Sequence, residues 1–487
     1  MRSAVSCVAA ALVAVLAGRA EAAVHYVNVA LAGGADNGTS WDNAYRTVDG
    51  VSRALSASVS GDQIWVAAGT YKPTAGTSRT VFITLKTGVA VYGGFAGTET
   101  EVSQRSVSGN VTVLTGDLLG NDNGTTTNLA DNSYHVVVGS SVATSAVLDG
   151  FTIRGGYANG SGSNYDKGGG ILVLTNGNPT VRQCRFIGNR CTFGGGAGYI
   201  FGANGSFVDC EFTDNIGGSY GGAFDTNGTT VRWERCLFRN NQASRAGAIE
   251  SYGSSQSTII NCVFVLNRAT TSNSGGAVWA GTSSVVTVRN STFVGNSAAA
   301  TSGGGFYNTS GTSTLANCIF WANTGNSGAT TNNQVTAAGG TNTVSYSLVQ
   351  GGIAGTGNIS AAPTFVDQAA SNVRLQANSA GIDAGSNSLI PAGVTVDHDG
   401  NARRVDIVAV TDSGVGGAPV VDMGAFEVQP PPPPACPADL DNDGAVGGSD
   451  LASILSAWAT ADADVNGDGI TDGADLTEAL SAWGPCP

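Results

Sequence analysis

Charged residues are scarce in this sequence, making up 12% of its 487 residues, and histidine occurs only three times. The net charge is −14. A surface that binds nucleic acid needs an excess of Lys and Arg, so the charge balance argues against a nucleic-acid partner.

His25, His135 and His398 all lie outside the repeats described below. We therefore expect structural histidines and no Ser/His/Asp catalytic set.

Long apolar runs are almost absent. The one candidate, residues 4–17, follows Arg2 and precedes the small residues Ala20 and Ala22. This pattern is typical of a secretory signal peptide, here 1–22, although a buried N-terminal helix is the alternative. No later run of about 18 apolar residues could form a membrane span. We expect a mature chain that begins near Ala23, contains no transmembrane segment and is secreted or held at the cell surface.

Glycine is abundant, with 71 residues, alongside many Ser, Thr, Asn and Val. Glycine and β-branched residues are poor helix formers, so the composition favours short strands separated by turns. Collagen is excluded because the glycines have no three-residue period.

A C-x-F-x-x-N unit recurs at intervals of 26 to 29 residues. Its six copies begin at Cys184, Cys210, Cys236, Cys262, Ser291 and Cys318. A second unit, three small residues before an apolar one, lies between them and begins at Gly168, Gly194, Gly221, Ala246, Gly275 and Gly303. A repeat of this length suits one coil of three short strands. The pattern predicts a parallel β-solenoid whose neighbouring coils stabilise one another.

Side chains two apart in a strand share a face, so Cys and Phe of each unit should point inward and stack. The polar residue before each Cys should face water, and the Asn should occupy a left-handed corner and bond to the next coil. Export would permit disulfides between the cysteines. One register position, with Ser291 in place of one Cys, fits free thiols that fill the core better.

The flanking segments are less regular. Apolar spacing predicts a helix over residues 40–60, capped by Ser40, that closes the N-terminal end of the solenoid. We assign residues 23–149 to this cap and the first coils, and 150–323 to the regular coils. Residues 324–428 are expected to form less regular coils. A proline-rich linker, 429–435, then leads to a separate module, 436–487.

The C-terminal module contains ten acidic residues and no Lys or Arg. An acidic disordered tail is one reading, but the acids recur at the spacing of two EF-hand-type loops, which indicates Ca²⁺ as a cofactor. The expected ligands are Asp439, Asp441, Asp443, Ala445 and Asp450, then Asp464, Asn466, Asp468, Ile470 and Asp475. Short helices should follow, at 451–458 and 476–483. We expect a disulfide between Cys436 and Cys486, which bracket the module.

These tandem loops resemble a type I dockerin, a module that attaches secreted polysaccharide-degrading enzymes to cohesins. The resemblance implies calcium binding and a cohesin-like or cell-surface partner. Positions 10 and 11 of the loops depart from it, since Gly448-Ser449 and Gly473-Ala474 stand where dockerins often carry partner-reading residues. The closing Pro485-Cys486-Pro487 resembles tails of planctomycete-like surface proteins.

The repeats of residues 168–323 resemble the right-handed parallel β-helix superfamily, which includes pectate-lyase-like proteins and polymorphic outer-membrane adhesins. Residues 382–427 are similar to a choice-of-anchor-type segment of bacterial surface proteins. The fold class we expect is therefore mainly β, with a small α-helical calcium module. Such resemblances specify fold better than chemistry.

One column of residues carries a candidate site. The residue directly after each four-residue unit should point outward, and this column contains Leu172, Gly198, Asp225, Glu250, Trp279 and Tyr307. Asp225 and Glu250 would lie about 5 Å apart on adjacent coils, close enough to share acid and base roles. Trp279 and Tyr307 would offer aromatic faces to a sugar. The alternative is a solvated polar face with incidental aromatics.

Two functions stay open at this point. The chain could be a polysaccharide lyase or glycoside hydrolase centred on Asp225 and Glu250. It could also be a non-catalytic surface or adhesion protein whose β-helix is a structural or sugar-binding stalk.

Overall fold

The computed structural model describes residues 22–124, 127–271, 273–299, 303–325, 331–430 and 436–486. The predicted signal peptide lies outside them except for its last residue, and so does most of the predicted linker. The chain divides into two units, Met1–Val428 and Gln429–Pro487.

The N-terminal part of the first unit contains one helix and ten strands. They are β1 (Val24–Val27), α1 (Gly50–Ala57), β2 (Gln63–Ala67), β3 (Gly69–Tyr71), β4 (Ile83–Thr84), β5 (Ala90–Phe95), β6 (Thr112–Thr115), β7 (Val137–Val138), β8 (Val147–Asp149), β9 (Thr152–Arg154) and β10 (Tyr157–Ala158). Short 3-10 helices lie at Trp41–Asn43, Val102–Gln104 and Leu129–Asp131.

The repeats form short strands that recur three or four to a coil. They are β11 (Ile171–Leu174), β12 (Thr180–Arg182), β13 (Arg185–Ile187), β14 (Arg190–Cys191), β15 (Gly198–Phe201), β16 (Asn204–Val208), β17 (Glu211–Thr213), β18 (Phe224–Asn227), β19 (Thr230–Glu234), β20 (Leu237–Arg239), β21 (Gln242–Ala243), β22 (Ile249–Tyr252), β23 (Gln256–Ile260), β24 (Val263–Val265), β25 (Arg268–Ala269), β26 (Val278–Ala280), β27 (Val285–Arg289), β28 (Thr292–Val294), β29 (Ser297–Ala298), β30 (Phe306–Asn308), β31 (Thr312–Ala316) and β32 (Ile319–Trp321).

The unit ends with α2 (Thr331–Gln334), β33 (Val335–Ala337), β34 (Thr341–Ser345), β35 (Leu348–Val349), β36 (Phe365–Asp367) and β37 (Asn372–Leu375), and with a 3-10 turn at Asn387–Leu389. The second unit contains β38 (Ala445–Val446), α3 (Gly448–Ser456), α4 (Gly473–Ser481) and β39 (Gly484–Pro485).

Three long sheets run along the solenoid, and within each sheet equivalent strands of successive coils pair in parallel. Among the described residues, sheet A has eleven strands from β1 to β34, sheet B has ten from β3 to β35, and sheet C has nine from β4 to β33. Their inward faces enclose one continuous apolar core. The predicted β-solenoid is confirmed.

The phenylalanines of the C-x-F unit form a stack inside this core. The register pairs Phe186 with Phe212 and Phe264 with Phe293, and the same column continues to Phe320. Neighbouring ring centroids lie 4.5 to 5.2 Å apart. The six cysteines of the coils are buried free thiols, as expected. Each coil therefore stabilises the next by side-chain stacking as well as by backbone pairing.

The asparagines of the same unit form a buried hydrogen-bonded ladder. The Nδ2 group of Asn241 donates to the carbonyl oxygen of Phe212 at 2.8 Å and to Oδ1 of Asn267 at 2.9 Å. Asn215, Asn267 and Asn296 repeat the arrangement. These bonds satisfy amide groups that burial would otherwise leave unpaired, which would be costly.

The left-handed residues lie elsewhere than predicted. Positive φ angles occur at the residue before each ladder Asn, namely Gly188, Asp214, Asn240, Leu266, Gly295 and Ala322. They also occur at the residue before each Cys, namely Gln183, Asp209, Arg235, Asn261, Asn290 and Asn317. The ladder Asn follows the corner, which aims its side chain into the coil. The last three of the second set are also buried, which contradicts the expected exposure of this column.

Helix α1 is shorter than predicted but lies where a cap was expected. It buries Val51, Ala54 and Leu55 in the same apolar core as the first strands. Ser40 makes no capping hydrogen bond, and only a 3-10 turn follows it. The reason is that Tyr45 pairs with the backbone of β1, since its N–H donates to Tyr26 and its carbonyl oxygen accepts from Asn28. That β-type pairing uses groups which a continuous helix would need.

The coils continue as expected through β33, β34 and β35, but the segment after β35 leaves them, which corrects the expectation for residues 350–428. Strands β36 and β37 pair antiparallel, and the chain then folds back over the outer face of sheet B. Val263, Val294 and Ile319 on that face pack with Phe365 and Met423, among others, in a second apolar cluster. The outer positions of these strands are apolar and require cover, whereas those of earlier coils carry Arg185 and Glu211.

The second unit is a small helical module closed by the predicted disulfide between Cys436 and Cys486, whose Cα atoms lie 5.9 Å apart. Strands β38 and β39 pair antiparallel. The helices α3 and α4 begin three residues earlier than predicted because Asp450 and Asp475 lie within their first turns and bond back to the residues that precede each helix. In the part of the chain that the structure describes, no helix is long and apolar enough to cross a membrane.

Candidate functional site

The predicted acidic and aromatic column lies on sheet C, on the side away from the core. The register pairs Asp225 with Glu250, Glu250 with Trp279, and Trp279 with Tyr307. These adjacencies agree with the sequence prediction. Gly198 does not belong to the column, since Tyr199 takes its place and pairs with Leu172 and with Asp225.

The error at Gly198 has a simple cause. Residues 194–198 are all small, Gly-Gly-Gly-Ala-Gly, and allow two alignments of the four-residue unit. The structure uses the later one, which pairs Gly198 with Ile171 and Phe224 on the core side. A side chain at Gly198 would lie 2.2 Å from the ring of Phe224. The missing side chain therefore provides room for that ring.

The column is buried, which contradicts the expected open face. Asp225 and Glu250 are completely inaccessible to solvent, and Trp279 and Tyr307 are 6% and 3% exposed. The connections that lead into the strands of sheet C fold over these side chains. A Cβ atom at Gly194 would lie 2.1 Å from Oδ2 of Asp225, and Asn273 binds both the Trp279 indole N–H and the Tyr307 hydroxyl.

Arg245 organises the covered side chains. Its guanidinium donates to Oε1 of Glu250 and lies over the rings of Trp279 and Tyr220, 4.1 and 4.4 Å from their centroids. Such stacking on aromatic faces is favourable for a partly desolvated cation. Arg245 is itself half-buried and closes the column toward solvent.

The two carboxyl groups are unequal in their surroundings. Neither oxygen of Asp225 has a hydrogen-bond partner among the described residues, whereas Glu250 is paired with Arg245. Burial and then the charge of Glu250 raise the pKa of Asp225 well above its usual value. Burial also raises the pKa of Glu250, against the opposing effect of Arg245. This pair can hold a proton, but no substrate reaches it in this conformation.

Sequence reasoning missed an open groove on the outer face of sheet B. Its volume is about 940 Å³. It crosses β6, β9, β13, β17 and β20, from residues 102–111 at one end to His398 of the folded-back segment at the other. The polar lining includes Arg105, Gln183, Arg185, Asp209, Glu211 and Arg235. The sequence signal for this groove was a charged residue next to an inward-pointing Phe or Cys in these coils, such as Arg185 beside Phe186 and Glu211 beside Phe212.

The charges in the groove are paired with one another. Arg185 bonds to Glu211 at 2.8 Å, Arg235 to Asp209 at 2.6 Å, and Arg105 to Asp149 at 2.6 Å. Burial raises the pKa of Glu211, but hydrogen bonds from Thr213 and Arg185 outweigh it and hold that pKa below its usual value. The groove thus presents fixed, ionised donors and acceptors beside apolar patches such as Val107 and Leu237.

In the second unit, the first acidic loop brings its carboxylates together. Oxygen atoms of Asp439, Asp441 and Asp443 all lie within 4.8 Å of one another. The backbone N–H groups of Asp443 and Gly444 donate to Asp439, which folds the loop around the cluster. An all-oxygen set of this kind suits a hard divalent cation.

The second loop repeats this geometry. The N–H groups of Gly467, Asp468 and Gly469 donate to Asp464, and Asp475 accepts from Val465, Asn466 and Asp472. Asp450 likewise accepts three backbone N–H groups in the first loop. The predicted ligands Ala445 and Ile470 each donate an N–H to the loop acid two residues before them. The residues present therefore fit a pair of calcium loops.

A comparison with protein families agrees with the architecture of the coils. The family model for a right handed beta helix region matches residues 128–271. The metabotropic glutamate receptor-like protein P of Dictyostelium discoideum is 35% identical over 96 residues, which are 20% of this chain and 7% of the receptor-like protein. The chain thus spans a small part of that relative.

Among solved structures, the crystal structure of pectate lyase Pel9A aligns with 85% of this chain and 98% of its own, at 14% sequence identity and a TM-score of 0.44. Residues 128–271 are thus similar to a right-handed β-helix region, and the parallel sheets continue beyond them to β35.

Proposed function

We propose that this chain is an exported protein that binds polysaccharide in the groove of sheet B. Its C-terminal module, loaded with calcium, attaches it to a cohesin-like or cell-surface partner. The observation that carries the proposal is the groove itself, an open channel of about 940 Å³ that crosses five successive strands.

The groove suits a linear polymer because equivalent positions recur once per coil. Arg185 on β13, Glu211 on β17 and Leu237 on β20 occupy the same register position. Successive positions along the groove are separated by about 4.8 Å, the spacing of paired strands. Guanidinium and carboxylate groups held by ion pairs provide preorganised hydrogen-bonding partners for sugar hydroxyls or acid groups. A linear ligand would meet one side chain of this column per coil, first a guanidinium, then a carboxylate and then an apolar group.

We favour binding over cleavage because no substrate can reach the acidic pair. Asp225 and Glu250 are fully buried, and the aromatic rings expected to hold a sugar lie under the same cover. The carboxylates that do reach the groove, Asp209 and Glu211, are each paired with arginine. Burial raises the pKa of Glu211, but hydrogen bonds from Thr213 and Arg185 outweigh burial and keep that carboxyl ionised. A general acid needs a proton at working pH, which such pairing opposes.

Calcium supports the attachment role through folding. The module concentrates acids whose mutual repulsion a bound cation would relieve, so metal binding and folding of the loops are expected to be coupled. The calcium ions would supply charge compensation. The first loop would hold its ion with Asp439, Asp441, Asp443, Ala445 and Asp450, and the second with Asp464, Asn466, Asp468, Ile470 and Asp475.

The binding proposal is tested by screening the full chain on immobilised polysaccharides while scoring retention and release of soluble products. We expect retention without release, and at least a tenfold weaker association for Arg185→Ala. Arg53→Ala is the matched control, because Arg53 pairs with Asp36 near the N-terminal helix and neither residue lines the groove. Equal affinity of the Arg185→Ala variant and the control would contradict the groove assignment. Product release that Asp225→Asn abolishes would establish the enzyme instead.

A further inference from the structure

The folded-back segment contains a second acidic cluster, separate from the loops of the C-terminal module. Asp383, Asp406 and Asp412 each place a carboxylate oxygen within 4.8 Å of the others. Asp406 and Asp412 are exposed, and Asp383 is completely buried. The cluster joins two parts of the segment that are more than twenty residues apart in sequence.

Asp383 is the unusual member of the cluster. Both of its carboxylate oxygens are buried, and neither has a hydrogen-bond partner among the described residues. A buried carboxylate without a partner is costly, and two further carboxylates beside it increase the cost by repulsion. A folded protein tolerates such an arrangement when a cation satisfies the oxygens.

The backbone around Asp383 is held firmly, so the carboxylate is aimed and does not turn away to water. Its N–H donates to Oδ1 of Asp422 at 2.8 Å. Its carbonyl oxygen accepts from the N–H groups of Ser413 and Gly414 at 2.9 and 3.0 Å. These bonds fix Asp383 against the chain that carries Asp412. Residues 406–412 therefore bring Asp406 and Asp412 to a carboxylate, that of Asp383, whose position is already fixed.

We infer that Asp383, Asp406 and Asp412 form a binding site for a hard divalent cation, calcium, which ties residues 406–412 to the buried start of the segment at Asp383. The donors are all oxygen, without His or Cys, which excludes a preference for softer transition metals. Three carboxylates supply three to six ligands, and the solvent-exposed side of the site leaves room for water to complete a shell of six to eight.

Calcium stoichiometry of the full chain tests the site. The chain is stripped with a chelator, equilibrated with calcium, passed through a desalting column and analysed for metal per chain. We expect Asp406→Asn/Asp412→Asn to hold one calcium ion fewer than the unaltered chain. Both residues are exposed, so the fold is expected to survive. The matched control is Asp42→Asn/Asp367→Asn, which makes the same charge change at two exposed acids outside the cluster.

A third variant, Asp439→Asn/Asp464→Asn, distinguishes calcium bound by the C-terminal loops from calcium bound at this site. We expect it to lose the ions of the module and to retain the one held by Asp383. Equal metal content in the unaltered chain and the Asp406→Asn/Asp412→Asn variant would overturn the inference, whatever the module binds. Loss of an ion from the control as well would also overturn it, since the binding would then follow net charge alone.

Discussion

Asp225 and Glu250 face each other on neighbouring parallel strands, both completely buried, yet only Glu250 has an ionic partner. The oxygens of Asp225 have no hydrogen-bond partner among the described side chains and backbone groups. This asymmetry makes Asp225 a source of pH-dependent instability.

The pH dependence of unfolding should therefore change in Asp225→Asn. The pKa of Asp225 is raised above 3.8 in the folded chain by burial and by Glu250, so folding favours the protonated form. Its contribution to stability is present at low pH and is lost as the pH rises from about 3.8 through the raised folded value. We expect the stability of the variant relative to the unaltered chain to increase with pH over the range that begins at about 3.8.

Urea unfolding across that pH range measures the effect, with Asp367→Asn as the exposed control. A constant difference between Asp225→Asn and the unaltered chain at every pH would show that Asp225 is ionised throughout.

The asparagine ladder should depend strongly on its middle members. Asn241→Ala removes an acceptor from the backbone and side-chain N–H groups of Asn215 and a donor from Phe212 and Asn267. Because these groups stay buried, we expect a loss of at least about 2 kcal/mol in the free energy of unfolding. The exposed strand residue Gln256 provides the control, and Gln256→Ala should change urea stability by less than about 0.5 kcal/mol. Similar losses in both variants would contradict the ladder's role.

The folded-back segment should detach when Gly424 gains a side chain. Gly424 has a φ of 101°, and a Cβ atom there would lie 2.8 Å from Ile319 and from Thr292 on sheet B. Gly424→Ala should therefore weaken packing against the sheet and speed tryptic cleavage at Arg404, which is exposed. In Gly417→Ala the new methyl group meets no atom within 4 Å, and that cleavage rate should be unchanged. Unaltered cleavage in Gly424→Ala would show that the segment is held without this contact.

Acid should loosen the C-terminal module through Asp450. Backbone N–H groups, that of Gly447 first, hold the pKa of Asp450 below its usual value of 3.8. Its stabilising contribution is thus present above about 3.8 and is lost as the pH falls through the lower folded value. We expect Asp450→Ala to speed amide hydrogen exchange in α3 at neutral pH. Asp462→Ala, at an exposed acid outside the loops, should leave that exchange rate unchanged.

The solenoid was predictable because its signals repeat. Six copies of one unit predict that Phe186 and Phe212 point inward, and the matching spacing of two loops predicts which acids gather around Asp439 and around Asp464. Non-repeating contacts gave no such signal. Cover over Asp225 depends on which connections fold back across sheet C, and the register at Gly198 depends on a choice between adjacent glycines.

The C-terminal segment shows the same limit. The apolar residues of 365–426 indicated burial but not the surface on which they are buried. The information that identifies this surface lies in sheet B, where Val263, Thr292 and Ile319 replace the charged outer residues of earlier coils. The change from charged to apolar residues is visible only when the outer positions of successive sheet B strands are compared with one another.

The point at which that cover begins also fixes the size of the groove. His398 bonds to the carbonyl oxygen of Asn261 at 2.9 Å and closes one end, while residues 102–111 close the other. Five strands lie between, which gives a usable length of about 19 Å at the spacing of paired strands. The number of coils thus sets the length of ligand that fits. Adding or deleting one coil ahead of Asn261 would change that length by about 4.8 Å.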